Sequence, residues 1–359
     1  MSAARLERAR ARLRELGVDV LLLSTGADLP YLTGYEAMPL ERLTMLVLPV
    51  EGDAELLIPR LEAPRVDAGG SFEVVPWDEH EDPVAHVTRR VGHLSTAAIG
   101  DQTWARFVLA LQREVPSLWL RPASDVLAPL RTVKDAEEID ALAAAAHAVD
   151  AVAFSMRDDR FAGRTEVDVH RELVDRMIAA GHQRSNFAIV AAGANAASPH
   201  HEPTDRVIAP GDVVLCDFGG TMRGYCSDIT RMFAVGDPPP DVQQAYYVLT
   251  EAQEAGVAAA TVGTAGEDVD VAARRVLADA GYGDAFIHRL GHGIGVEAHE
   301  APYLVAGNRE PLVAGNVFSI EPGIYLPGRF GLRLEDIVVA TDAGPQRLND
   351  APRDLPVVA

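Results

Sequence analysis

Four acids interrupt stretches that otherwise read as buried strand. Asp217 ends the run Val213-Val-Leu-Cys-Asp217-Phe-Gly-Gly, and Asp228 follows eleven positions later (228 minus 217) in Tyr225-Cys-Ser-Asp228-Ile-Thr-Arg. Glu321 sits in Phe318-Ser-Ile-Glu321-Pro-Gly, and Glu335 in Leu332-Arg-Leu-Glu335-Asp-Ile-Val-Val. A strand buried on both faces offers a carboxylate no water. Four such groups drawn together repel and raise one another's pKa unless cations offset them. Two divalent cations bring +4 against -4, so the pattern predicts a dinuclear metal centre, with His292 of Gly291-His-Gly as a nitrogen donor nearby. Taken singly, each acid would pass for an ordinary residue at a strand end.

Other chemistries lack their residues. The single lysine, Lys134, lies in the polar helix start Thr132-Val-Lys-Asp-Ala-Glu-Glu, where a solvated side chain is expected. No lysine is therefore set up for a Schiff base or a phosphate loop. His201-Glu and His299-Glu both lack the second histidine of a zinc-protease helix, and no Gly-x-Ser-x-Gly elbow occurs. Gly291-His-Gly-Ile-Gly295 is glycine-rich but is not the Gly-x-Gly-x-x-Gly dinucleotide fingerprint. Cys216 and Cys226 are too few for a disulfide framework or a cysteine zinc module; they read as small buried residues, placed where thiols could capture stray zinc.

Composition narrows the partners. Lys plus Arg is 32 against 53 for Asp plus Glu, a net charge of -21, which argues against a nucleic-acid binder. The chain is 48% hydrophobic and 24% charged, enough apolar surface to exclude disorder as its main state. No apolar run approaches the roughly 18 residues that span a bilayer. The arginine-rich start, with Arg5, Arg8, Arg10, Arg12 and Arg14, reads as an amphipathic helix carrying Leu6, Leu13 and Leu16 rather than an import sequence. A cytoplasmic location is expected.

The elements that must position the acids follow from apolar spacing. Strand-length runs at Val20–Leu23, Leu43–Leu48, Glu55–Ile58, Phe72–Val75 and Ala97–Ile99 mix with helical stretches at Arg5–Leu16, Pro83–Gly92 and Trp104–Glu114. They describe a small α/β domain, residues 1–125, followed by a larger one, residues 126–359. In the second, helices at Asp135–Ser155 and Glu166–Ala180 precede strands at Phe187–Ala191, Val213–Phe218 and Asp228–Ala234. Helices at Asp241–Ala260 and Glu267–Ala280 then precede strands at Val317–Ile320 and Leu332–Ala340, as if two similar halves shared one sheet. A turn over Gly219–Gly224 would fold the aspartate strands into a hairpin.

Asp217, Asp228, His292, Glu321 and Glu335, in this order and spacing, resemble the ligand set of the methionine aminopeptidase, aminopeptidase P and prolidase family. The flanking strings Leu-Cys-Asp217-Phe-Gly, Ser-Asp228-Ile-Thr-Arg, Gly-His292-Gly-Ile-Gly, Ser-Ile-Glu321-Pro-Gly-Ile-Tyr and Arg-Leu-Glu335-Asp agree, as does Leu130-Arg-Thr-Val-Lys-Asp-Ala-Glu-Glu-Ile-Asp at the domain join. The resemblance runs over essentially the whole chain. It implies a pita-bread catalytic domain (creatinase/aminopeptidase-like) behind a creatinase N-terminal-like, ribonuclease-H-like α/β domain that caps substrate and mediates oligomerisation. It also implies that Asp217 chelates one metal, that Asp228 and Glu335 bridge both, and that His292 and Glu321 complete the second. Mn suits such a carboxylate-rich shell, with Co or Zn possible.

The family pattern further implies a metal-bridging hydroxide as nucleophile, with Glu321 as general base. His200, His288 and His299 match substrate-contacting positions, with His200 and His299 joining Glu321 as catalytic residues. His201 has no family counterpart and reads as a surface imidazole. Arg333 and Thr230 are expected to hold a bridging carboxylate in place, and Arg333 also falls in the substrate-binding set. With all five ligands present, the metal-free creatine-hydrolysing branch and a non-catalytic binding protein are disfavoured, and the extra domain disfavours methionine aminopeptidase. What remains is Xaa-Pro hydrolysis, as a dipeptidase or as an aminopeptidase on longer peptides. A dipeptidase needs a partner for the free carboxylate. Arg42, in Leu40-Glu-Arg-Leu-Thr, is the candidate, reaching over a neighbouring subunit of a homodimer; the plainer alternative is an arginine paired with Glu41 or Glu36.

Overall fold

The computed structural model describes residues 2–359, which form two compact units divided between Arg131 and Thr132. The helix Ser124–Thr132 packs with the first unit, burying Val126 and Leu127, and Arg131 pairs with Asp28 at 2.7 Å. The structural division therefore lies a few residues past residue 125.

The first unit is built on a six-stranded mixed sheet in the order Glu73–Trp77, Glu55–Pro59, Met45–Pro49, Val20–Leu23, Thr96–Ile99, Trp119–Pro122. The uniformly apolar Val20–Leu23 lies centrally, with no exposed face, as such a run requires. The helix Ser2–Leu16 buries Leu6, Ala9 and Leu13 along one stripe. Its arginines turn outward or find partners: Arg5 stacks on Tyr31 at 4.4 Å, and Arg10 pairs with Glu7 at 2.6 Å.

The second unit holds two five-stranded sheets and a two-stranded one rather than the single sheet expected. The first runs Val357–Val358, Ile229–Val235, Val213–Met222, Arg184–Ala192, with Tyr225–Cys226 paired to the end of Val213–Met222. The second runs Glu300–Leu304, Gly291–Gly293, Val317–Ile320, Asp336–Thr341, Gly344–Arg347. The apolar run read as one strand over Leu332–Ala340 breaks at Leu334-Glu335. Phe330–Arg333 forms a separate hairpin with Gly323–Leu326, while Asp336–Thr341 joins the second sheet. An isolated bridge between Thr230 and Glu335 joins the sheets at that break.

Two helix pairs cover these sheets. Val169, Leu173 and Met177, four apart on Glu166–Ala179, pack into one core with Val214, Cys216 and Phe218. Val269, Ala273 and Leu277, equally spaced on Gly266–Asp279, pack into the other with Val213 and Leu215. The long helices Ala136–Ser155 and Pro240–Ala259 complete the pairs. One segment, Ala136–Asp158, is long and apolar enough to cross a membrane by length and composition, although Asp140, His147 and Asp150 interrupt its apolar residues. Here Leu142, Ala146, Val149 and Val152 are buried, as in a core helix.

The turn between the aspartate strands is tighter than read from the sequence. Arg223 (φ 52°) and Gly224 (φ 80°) close it between Met222 and Tyr225. Gly219 and Gly220 lie within the strand, where glycine answers crowding. A Cβ on Gly219 would fall 2.1 Å from the Ser227 carbonyl, and one on Gly220 would fall 2.5 Å from that of Arg184.

Candidate active site

Asp217 lies in the middle of the strand Val213–Met222 rather than at its end, and His292 in the middle of a short strand, while Asp228, Glu321 and Glu335 stand at strand ends or interruptions. Asp217 faces Thr230 and Ile189 across its strand, on the face shared with Val213 and Leu215. Asp228 fills the gap between Tyr225–Cys226 and Ile229–Val235; Glu321 follows Val317–Ile320; Glu335 occupies the break described above. His292 lies in the three-residue strand Gly291–Gly293, and its glycines are steric necessities. A Cβ on Gly291 would lie 1.9 Å from the Ser319 carbonyl, and one on Gly293 would lie 2.2 Å from that of Ala301.

All five converge on a cavity of about 940 Å³, which His200, His288, His299 and Arg333 also line. Donor atoms of Asp228, His292 and Glu335 lie within 4.8 Å of one another. Asp217 Oδ1 and Asp228 Oδ1 are buried with no hydrogen-bond partner, which is costly for a carboxylate unless a cation completes it. Burial, followed by repulsion from Glu335, Asp217 and Glu321, pushes the Asp228 carboxyl well above its ordinary range. Glu335 rises for the same reasons, from burial and then Glu321 and Asp217. Asp217 also rises through burial, although Arg333 opposes it. Glu321 alone goes the other way, to about 2: burial works against it, but the hydrogen bond and charge of His292 prevail. This donor set fits divalent cations.

A polar frame holds the ligands. Thr230 Oγ1 donates to Glu335 Oε2 at 2.7 Å, as expected of it. Arg333 behaves differently from expectation: it donates to Asp217 Oδ2 and not to Glu335, because the chain breaks between Arg333 and Glu335 and turns them apart. The rest of its guanidinium donates to Tyr325 Oη (2.8 Å) and Thr230 Oγ1 (3.2 Å). Tyr325, which closes the string Ser-Ile-Glu321-Pro-Gly-Ile-Tyr and has no distinguishing sequence signal of its own, is thereby part of the site. With Arg333 donating to it, its hydroxyl proton points to His288 Nε2, 2.9 Å away. His288 Nδ1 then carries the ring proton and donates to the Arg289 carbonyl at 2.7 Å. Both ring nitrogens of His288 are engaged within the protein.

The His299 ring lies 3.9 Å from that of His292, centre to centre and tilted by 51°; burial and then the charge of His292 lower its pKa to about 4. His200 is exposed on the cavity wall at the end of Ser198-Pro199-His200. Its neighbour His201 is not a free surface imidazole, since its Nε2 lies 2.8 Å from the buried carboxylate of Glu166. Lys134 is likewise not solvated: it is 4% exposed and pairs with Glu300 at 2.7 Å. Cys216 and Cys226 are buried, and burial pushes the thiol of Cys226 to about 11 and that of Cys216 higher still, so neither is a thiolate donor. Arg42 belongs to the first unit, where it pairs with Glu79 (2.6 Å) and Glu41 (2.8 Å).

Residues 138–342 match metallopeptidase family M24, and residues 5–133 match the Creatinase/Prolidase N-terminal domain. The chain is 43% identical over 364 residues to the probable dipeptidase PepE of Mycobacterium tuberculosis, covering 99% of this chain and 96% of that one. It is 34% identical over 366 residues to the Xaa-Pro dipeptidase of Lactobacillus delbrueckii subsp. lactis, covering 98% of each. Among solved structures, a prolidase from Thermococcus sibiricus superposes with a TM-score of 0.93 at 37% identity, over 100% of both chains. The chain belongs to metallopeptidase family M24. It is a metal-dependent hydrolase, with a pita-bread catalytic unit behind a creatinase/prolidase-type N-terminal domain.

Proposed function

From that membership we propose that the chain is a dinuclear-metal peptidase that hydrolyses the Xaa-Pro bond of dipeptides. The observation that carries the reading is the convergence of buried acids, two with unpartnered oxygens, on a cavity that His200 and His299 also line. Asp217, Asp228, His292, Glu321 and Glu335 would hold the cations, with Mn favoured by their oxygen-rich character and Co or Zn possible. When bound, such cations polarise a carbonyl and lower the pKa of water so that it is nucleophilic near neutral pH.

The remaining work falls to the chain's own groups. Glu321, held ionised, accepts the proton of the attacking water and delivers it to the leaving proline nitrogen. His299, neutral at pH 7, and His200 orient the scissile carbonyl and stabilise the developing oxyanion. Arg333 ties Asp217 to the Tyr325–His288 pair and fixes the substrate-facing wall. Arg42, supplied by the N-terminal domain of a second subunit in a homodimer, exchanges its glutamate partners for the dipeptide's free carboxylate. Two free thiols and the absence of a cysteine framework suit a cytoplasmic, reducing setting.

The test is hydrolysis of a Xaa-Pro dipeptide against a Xaa-Pro-Xaa tripeptide by metal-stripped protein, with and without added Mn. Metal-dependent cleavage of the dipeptide alone is expected. Preference for the tripeptide would make the enzyme an aminopeptidase on longer peptides and leave Arg42 without a role. Cleavage of neither by metal-loaded protein would overturn the substrate assignment.

A further inference from the structure

Glu166 is the first residue of the helix Glu166–Ala179, and its side chain is completely buried. Its carboxylate serves a loop remote in sequence rather than its own helix. Oε1 accepts from the Ala192 amide (2.8 Å) and Asn195 Nδ2 (3.0 Å); Oε2 accepts from His201 Nε2 (2.8 Å), the Thr204 amide (3.1 Å) and Thr204 Oγ1 (2.8 Å). An ionised carboxylate has about four lone-pair directions, so this one is saturated. Because a carboxylate only accepts, His201 must present Nε2–H to it.

The donors bracket one residue. Ala192 and Asn195 precede His200, while His201 and Thr204 follow it, and between them Ser198, Pro199 and His200 line the active-site cavity. An irregular loop that must hold an exposed imidazole at a fixed position has few backbone ladders to do so. Here one buried charge gathers both of its ends.

We propose that Glu166, with His201 as its imidazole partner, is a positioning residue that holds His200 in its substrate-facing place. The inference rests on the functional reading above for its kinetic test, and on the loop geometry alone for its structural one. Replacing Glu166 with Gln preserves shape, but it turns one acceptor oxygen into a donor that faces other donors and releases the loop.

The experiment uses Mn-loaded wild type, Glu166→Gln, His200→Ala and the double variant, measuring kcat, KM and metal content on a Xaa-Pro dipeptide. Glu166→Gln is expected to lower kcat/KM on the order of tenfold to a hundredfold at unchanged metal content. In the His200→Ala background its further effect should be under about twofold, because the two act as a unit. The full loss repeated in that background, or no loss in either, would overturn the proposal. Amide hydrogen exchange across 190–206, read without substrate, should be faster in Glu166→Gln at Ala192 and Thr204; unchanged exchange would also overturn it. If wild type cleaves no Xaa-Pro peptide, the functional reading falls and exchange still decides this inference. Should Glu166→Gln not fold, His201→Ala removes a single contact and enters the same cycle, with the same outcomes expected and the same ones excluded.

Discussion

Lys134 Nζ lies 2.7 Å from Glu300 Oε1, and both side chains are almost fully shielded, at 1% and 7% exposure. Glu300 directly follows His299 and opens the strand Glu300–Leu304. Its carboxylate also packs on bare backbone, since a Cβ on Gly295 would fall 2.5 Å from Oε1. The chain's single lysine thus holds the carboxylate that follows His299 against the backbone at Gly295, three residues past His292.

Removing one member of such a pair takes from a buried charge its ionic partner. Lys134→Met is therefore expected to destabilise the protein by about 3–5 kcal/mol, whereas Lys134→Met with Glu300→Leu should recover a large part of that loss. Denaturant melts of the two variants test this. A single variant as stable as wild type would mean that Glu300 finds other compensation.

His182 gives a pH dependence with a definite sign. Its Nε2 accepts from Ser227 Oγ at 2.8 Å, its Nδ1 faces the Met177 carbonyl at 3.2 Å, and burial lowers its pKa from the ordinary 6.5. The folded state therefore resists protonation that the unfolded chain accepts. Stability is complete above pH 6.5 and is lost as pH falls from there toward the depressed folded value. The slope is bounded by one proton, about 1.4 kcal/mol per pH unit. Subtracting the profile of His182→Gln should isolate this slope; parallel profiles would show that His182 is not its source.

Arg333 reaches four acceptors in different directions: Asp217 Oδ2, Tyr325 Oη, Thr230 Oγ1 and the Pro199 carbonyl. A lysine keeps the charge but presents a single point of contact. Arg333→Lys should weaken metal binding on the order of tenfold to a hundredfold, measured calorimetrically with Mn, while secondary structure is retained. Unchanged affinity would mean that the guanidinium serves the fold and not the metal centre.

The ligand acids were legible in the sequence because a charge inside an apolar strand contradicts its surroundings, and that contradiction needs no tertiary information. Helix starts were legible for a similar local reason, as in the capping box of Asp135 and Glu138. What failed was whatever depended on who lies across the way. Lys134 looked solvated because its neighbours in sequence are polar, while its partner Glu300 is 166 residues distant. Leu332–Ala340 looked continuous because both pieces are apolar; only pairing with Gly323–Leu326 on one side and Val317–Ile320 on the other divides it. Tyr325 and Glu166 carried no local anomaly, since a tyrosine in a short strand and a glutamate in a first helical turn are ordinary.

Asp217 Oδ1 and Asp228 Oδ1 have no hydrogen-bond partner beside Glu335 and Glu321, an arrangement that costs stability whenever no cation offsets it. Removing one of the repelling charges should therefore stabilise the stripped protein while abolishing its response to metal. Asp228→Asn keeps the side chain's shape and deletes a charge that Glu335, Asp217 and Glu321 all oppose. Wild type should gain about 2.7 kcal/mol with free Mn at a hundredfold its dissociation constant, because the ion binds the folded state alone. Asp228→Asn should melt higher than wild type after chelation and gain little on adding Mn. Thermal melts of both proteins, stripped and loaded, separate the two effects. A stripped Asp228→Asn that melts below stripped wild type would mean that Asp228 is held by stabilising contacts rather than kept for a cation.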